Sequence, residues 1–345
     1  MSHSGSSFQN RTGARWCELS LIACLLLVFV VSFALGRYPV GIRQLLLSLA
    51  SQVLPIKHTW SPTIDTVIYQ VRLPRILAAM LVGAALSAAG ASYQGMFKNP
   101  LISGDILGVS SGAGFGAALA IYFSLNTVGI QAVSFCFGLA AVLLVMSISG
   151  RIRRDKSLTL VLTGFIVGAL FSAATSLLKY VADPNNVLPA IEFWLMGSLA
   201  SVDSNSAMSA FIPIFLGTVP IYLLRWRINV LTLGEEEAAA LGLNTRKLQN
   251  IVIFCSTLMT SAAVSISGLV GWVGLIIPHL ARMIVGPNYK MLLPASIMLG
   301  ATYLLLVDDL CRTMSNLEVP LGIVTAVVGA PLFLYLLLKG GRGWE

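Results

Sequence analysis

Three groups of residues could do chemistry in a chain that otherwise avoids charge. Arg72 and Arg75 bracket Leu73-Pro74. Two arginines three apart share a helix face, and guanidinium groups suit bidentate pairing with carboxylates. The pair reads as a carboxylate socket or as arginines snorkelling at an interface. Pro74 would then sit in the first turn of a helix, where a missing N–H costs little. Asp308 and Asp309 lie just before Arg312, near the end of an apolar run. They are a candidate intramembrane site, or they pair with Arg312. The third group is "GEEEAAALG", Gly234–Gly242. Glutamates favour a helix N-terminus, alanines favour helix, and Gly242 can end it. This segment reads as a solvated loop helix or as a flat face for a partner's groove.

Covalent chemistry finds no support. His3, His58 and His279 are scattered, and His279 stands beside Pro278. No Gly-x-x-x-x-Gly-Lys-Ser/Thr loop is present to cradle phosphates. The five cysteines show no metal or redox spacing and read as small apolar residues packed between helices. No catalytic residue and no metal site is expected.

The elements that must position these residues are membrane helices. Hydrophobic residues make up 57% of the 345 and charged residues 10%, with mean hydropathy +0.85. Soluble domains average about 25% charged. Uncharged stretches recur that are long enough to cross about 30 Å of hydrocarbon, and long continuous apolar runs exclude a barrel. The chain is therefore expected to be an all-α polytopic membrane protein with about ten transmembrane helices. The spans are placed at 19–36, 76–97, 106–125, 128–149, 157–180, 204–224, 248–267, 272–286, 291–307 and 319–338. The first resembles a signal peptide, but no small-residue cleavage site follows, so it is read as retained. Ser124-Leu125-Asn126 breaks one long run, and Gly268, Gly271 and Gly274 mark a turn in another.

With the N-terminus inside, 15 of the 22 Lys and Arg fall on the inner side. Both termini are therefore expected in the cytoplasm. Residues 1–18 form a tail, 19–338 one transmembrane domain, and 339–345 a second tail. The polar stretch 228–247 then faces the cytoplasm. Small residues line two spans. Gly83, Ser87 and Gly90, with Ser110, Ser111 and Gly112, are candidates for a pathway or gate, and close helix packing is the competing reading.

Several separated motifs resemble one family. They are "RLPRILAAMLVGAALSAAGASYQGMFKNPL" (Arg72–Leu101), "DILGVSSGAGFGAAL" (Asp105–Leu119), "WLMGSL" (Trp194–Leu199), "LGEEEAAALGL" (Leu233–Leu243), "GLVGWVGLIIPHLAR" (Gly268–Arg282) and "EVPLGIVTAVVGAPLFLYLL" (Glu318–Leu337). Together they resemble the FecCD/BtuC permeases of ABC importers for iron–siderophore complexes, haem and cobalamin. The resemblance implies a BtuC-like, type II importer fold in the bacterial cytoplasmic (inner) membrane. It implies two permease subunits, with a homodimer the simpler arrangement, two ABC ATPase subunits, and a soluble substrate-binding protein. ATP and Mg would belong to the ATPase chains; this chain would hold no cofactor, and no nucleic acid is implied. Gly234, Glu235, Ala238, Leu241 and Gly242 match the motif of the helix that couples to the ATPase. Arg72, Arg75 and Arg312 match arginines that receive carboxylates of the binding protein. Iron–siderophore or haem is the first cargo class implied, with cobalamin or an oxyanion such as molybdate as alternatives. A secondary transporter or channel is the rival class, and it would need an ion site within the membrane. Ser103-Gly104, Trp272, Glu236 and Glu237 depart from the usual pattern.

Overall fold

The computed structural model describes residues 5–36, 38–51, 60–152, 156–314 and 318–339. Among these residues the regular structure is helical. The long N-terminal helix α1 (Gly5–Ala34) is followed by a short α2 (Ile42–Ser51). Next, α3 (Pro62–Asp65) runs through a π-helical turn (Thr66–Arg72) into α4 (Leu73–Phe97). A 3₁₀ turn (Gly104–Leu107) leads to α5 (Val109–Tyr122), α6 (Thr127–Ser149), α7 (Lys156–Val181) and a short α8 (Val187–Leu195). Then come α9 (Ser204–Leu231), α10 (Glu235–Ala240), α11 (Thr245–Ser267), α12 (Val273–Val285), α13 (Tyr289–Thr313) and α14 (Leu321–Lys339).

Among the described residues seven helices are long and apolar enough to cross a membrane, and three shorter apolar ones, within α5, α12 and α14, complete the ten expected spans. Both foreseen breaks are present. Ser124 takes a left-handed conformation, and the Asn126 side chain caps α6 by accepting from the Gly129 amide at 2.9 Å. At the other, α11 stops at Ser267 and left-handed Trp272 precedes α12.

Three boundaries differ from the sequence reading and one helix is added; the ninth span runs on to Thr313, so Asp308, Asp309 and Arg312 lie within α13. The helical run of the second span begins at Pro62, not near residue 76, while Pro74 stands in the first turn of α4 itself, as expected. The π turn explains the longer run. Leu73 N–H reaches back five residues to Ile68 O, and the wider turn accommodates the proline that follows. Helix α9 continues to Leu231 and carries Arg225, whose guanidinium lies 3.9 Å over the Tyr222 ring. Helix α8 was not foreseen.

The helices are not equivalent. In the most apolar windows of α4 and α11, 78% of residues are buried, against 11% for α1. Helices α4 and α11 therefore form the core, and α1 lies at the edge. The core is close-packed through small residues. A Cβ at Gly83 would lie 2.1 Å from Gly300 O on α13, and one at Gly90 would lie 1.9 Å from Gly274 O on α12. Only glycine permits these backbones to approach so closely. Among the cysteines, Cys255 and Cys311 are buried as expected, whereas Cys24 and Cys136 lie on exposed helix faces.

Candidate functional site

The chain has two polar ends. One holds α2 and α8; the other holds α10. At the α2 end, Arg72, Arg75 and Arg312 are all buried, with 4%, 7% and 6% of their surface exposed. Arg72 donates to the main-chain oxygens of Phe33 and Tyr38, which closes the end of α1. Arg75 reaches α13, donating from Nε to both Asp308 oxygens at 3.0 Å and from Nη2 to Oδ1 at 2.8 Å. Its Nη1 donates to Glu318 Oε1 at 2.6 Å, just before α14. Arg312 pairs with Asp309 and lies 3.2 Å from Asp308 Oδ2. Asp309 also accepts from the Ser32 hydroxyl of α1 at 2.5 Å.

Arg75 and Arg312 thus share three carboxylates, while Arg72 is held by main-chain carbonyls, and the formal charges of the six groups sum to zero. Burial of a charge is costly unless it is paired and hydrogen-bonded, and here each arginine finds acceptors within the chain. The expected pairing of Arg312 with the Asp308-Asp309 pair is present. The arginines are not an open socket, because the chain's own groups occupy them. Arg72 and Arg75 also take different partners despite their spacing. The neighbouring rim is tied by main-chain bonds from Leu321 N to Gly197 O at 2.9 Å and from Gly322 N to Met196 O at 3.0 Å. These join α14 to the end of α8.

At the other end, α10 is a six-residue helix. Gly234 precedes it at φ 151°, a conformation that disfavours side chains, and a Cβ there would collide with the Glu237 carboxylate at 1.8 Å. Ala238 is fully buried and turns α10 against the bundle. Glu235 accepts from Gln249 Nε2 of α11 at 2.6 Å. Lys98, the left-handed C-cap of α4, donates from Nζ to Leu233 O at 2.8 Å. Leu241 follows α10 and Gly242 turns the chain at φ 80°.

The five residues expected to meet an ATPase therefore do different things. Gly234 and Gly242 shape the backbone, Ala238 points inward, and Glu235 is bonded to α11. Leu241 is 65% exposed and Leu233 60%, with Glu236, Ala239 and Ala240 also exposed. Local spacing pointed to the segment but missed Leu233, Lys98 and Gln249. Gln249 was findable: it is a polar residue in the first turns of an apolar helix, 14 positions from Glu235.

The deeper layer at this end is also polar. Asn229 Oδ1 accepts from Tyr289 N at 3.0 Å, joining α9 to α13. Tyr289 Oη donates to Ala91 O of α4 at 2.5 Å. Arg282 Nη2 donates to Gln94 Oε1 at 3.1 Å, joining α12 to α4.

The six pathway candidates divide. Gly83, Ser87 and Gly90 are buried where α4 meets α13 and α12, and the Ser87 hydroxyl bonds back to Gly83 O at 2.7 Å. Gly112 packs α5 on α6, where a Cβ would lie 2.7 Å from both Ala141 Cβ and Phe137 O. These four are packed within the chain, with neighbouring backbone or side-chain atoms in the space beside them. Ser110 and Ser111 are partly exposed. Ser110 donates to Asp105, and Ser111 lies 3.5 Å from the exposed Ser172 of α7, hydroxyl to hydroxyl.

Comparison with known proteins agrees with this architecture. Residues 24–339 match the FecCD transport family. The molybdate import system permease protein MolB of Haemophilus influenzae is 44% identical, over 94% of this chain and 95% of its own length. A "Probable iron chelatin transport system permease protein" of Helicobacter pylori is 39% identical, over 80% of this chain and 84% of its own. A solved structure assigned to the metal-chelate type of ABC transporter, in an inward-facing conformation, is 42% identical. It covers 93% of this chain and 98% of its own, with a TM-score of 0.84.

Proposed function

The chain belongs to the FecCD transport family, and on that premise we propose that it is the membrane-spanning permease subunit of an ATP-driven importer in a bacterial inner membrane. The observation that carries this reading is α10. It presents exposed Leu233, Glu236, Ala239, Ala240 and Leu241, and side-chain bonds tie it and the preceding loop to two buried spans. A chain without a phosphate loop needs an ATPase, and an apolar face with a charged edge suits a protein partner. Two permease copies form the pathway, two ATPase chains sit under the α10 ends, and both termini face the cytoplasm. A soluble binding protein delivers cargo at the α2 end. There Arg72, Arg75 and Arg312 shape the rim and do not meet the visitor's carboxylates directly. ATP and Mg bind the ATPase chains, and this subunit performs no covalent step.

Molybdate is the first cargo. The motifs alone favoured iron–siderophore or haem, but 44% identity along almost the whole of a molybdate permease supports the oxyanion. Hydroxyl donors such as Ser111 and Ser172 suit an oxyanion that must be held weakly and released. A ferric chelate is the second reading, supported by the 39% identity to the iron chelatin permease.

Two measurements test these points. In proteoliposomes holding this chain, its ATPase and its binding protein, molybdate uptake should require ATP and exceed uptake of ferric siderophore, haem or cobalamin. ATP-independent uptake by this chain alone would favour a secondary transporter. Capture of the ATPase should fall at least about tenfold for Leu241→Glu, since a charge replaces an apolar contact at the centre of the face. Undiminished capture would move the ATPase contact away from α10.

A further inference from the structure

Helix α10 is too short to hold its own position. Isolated helices below about 12 residues are marginal in water, and this one has six. Its placement must come from contacts with the bundle. Ala238 supplies an apolar contact, but a methyl group facing a packed surface fixes neither direction nor rotation. Two directional bonds remain. Gln249 is 4% exposed, in a helix whose following turns are buried, and it aims Nε2 at Glu235. Lys98 closes the end of α4 and donates to the carbonyl of Leu233 in the loop before α10. One bond fixes the first residue of α10 to α11, and the other fixes the loop before it to α4.

Helices α4 and α11 are the two most buried spans. They also run to the far end, where Arg72 and Arg75 close against α1 and α13, and where Ser198 N bonds Ser267 O at 2.8 Å. A displacement of α10 is therefore delivered to the helices that reach the opposite rim.

We propose that Gln249, assisted by Lys98, is the positioning residue that makes α10 move with α11 and α4 as one body. The idea rests on the importer reading for its consequence, the coupling of ATP hydrolysis to transport. Its physical content, the clamping of α10, is independent of that reading. Gln249 is buried and lies off the face offered to the ATPase, so losing it should weaken transmission and leave assembly intact.

The test uses Gln249→Leu and Lys98→Met, which remove the bonds while keeping side-chain bulk. Gln249→Lys and Lys98→Arg keep a donor at each place. Amide hydrogen exchange is followed over residues 233–243 in the nanodisc-embedded chain. Exchange there should speed up about fivefold or more in Gln249→Leu, the equilibrium worth of one hydrogen bond, and return toward the native rate in Gln249→Lys. In the assembled importer, ATP hydrolysis should stay within about twofold of native. Molybdate carried per ATP should fall by about fivefold in Gln249→Leu, and less in Lys98→Met, whose bond is exposed to water. Unchanged exchange in Gln249→Leu would overturn the clamp. Faster exchange with unchanged cargo per ATP would overturn its role in coupling, and loss of the ATPase from the complex would reduce Gln249 to a docking contact. A native importer that moves neither molybdate nor ferric siderophore with ATP would sink the importer reading instead, and the exchange data would still decide the clamp.

Discussion

Asp308→Leu is expected to destabilise the folded chain by about 3–5 kcal/mol, the usual cost of stranding a buried charge. Asp308 is completely buried and lies between Arg75 and Arg312. Its removal takes away the carboxylate that Arg75 and Arg312 share. Arg75 would retain Glu318, which reaches the surface, but Arg312 would retain only Asp309 and distant carbonyls. The double variant Arg75→Met/Asp308→Leu removes one charge of each sign, leaving Arg312 with Asp309, Arg72 with its main-chain carbonyls, and Glu318 at the surface. It should recover most of the loss, because apolar side chains of similar volume replace a buried pair with little penalty. Thermal unfolding in detergent checks both variants. A double variant no more stable than Asp308→Leu would mean that geometry, not charge balance, holds this end.

The second large effect concerns the seam on α4. Gly90→Leu should cost about 3 kcal/mol or more and leave little monodisperse protein, since overpacking a full core costs about 1–3 kcal/mol even where side chains can yield. Here the obstruction is the carbonyl of Gly274, 1.9 Å from the new Cβ, and a helix backbone does not yield as a rotamer does. Even Gly90→Ala should fall well below native. Gly271→Ala is the matched control, because nothing lies within 4 Å of its Cβ position. Size-exclusion profiles after detergent extraction separate the outcomes. A well-behaved Gly90→Leu would show that α4 and α12 can part without loss.

Local composition carried most of the fold. Ten apolar runs became ten apolar helices, because chain length, charge avoidance and bilayer thickness leave few other solutions. Turn chemistry at Ser124–Asn126 was equally local. What escaped the reading was non-local or balanced between two signals. Arg75 meets Asp308 across 233 positions, so no spacing rule could identify its partner. Pro74 signalled a helix start, but the π turn ahead of it let the helix continue from Pro62. Helix α8 is nine residues long with Pro189 inside it, too short and too interrupted for a span pattern. The small residues of α4 fit both packing and pathway, and the approach of Gly274 and Gly300 shows their packing. Within "GEEEAAALG" the segment was legible, but the direction each side chain takes was not, because it depends on where α4 and α11 end.

Because the formal charges of Arg72, Arg75 and Arg312 equal in number those of Asp308, Asp309 and Glu318, any shift of the neighbouring ends of α4 and α13 along the membrane normal would carry no net charge. Carrying one uncompensated charge through the full transmembrane field costs about 2.3 kcal/mol for each 100 mV. The balanced cluster feels no such force, so the membrane potential neither drives nor opposes its movement.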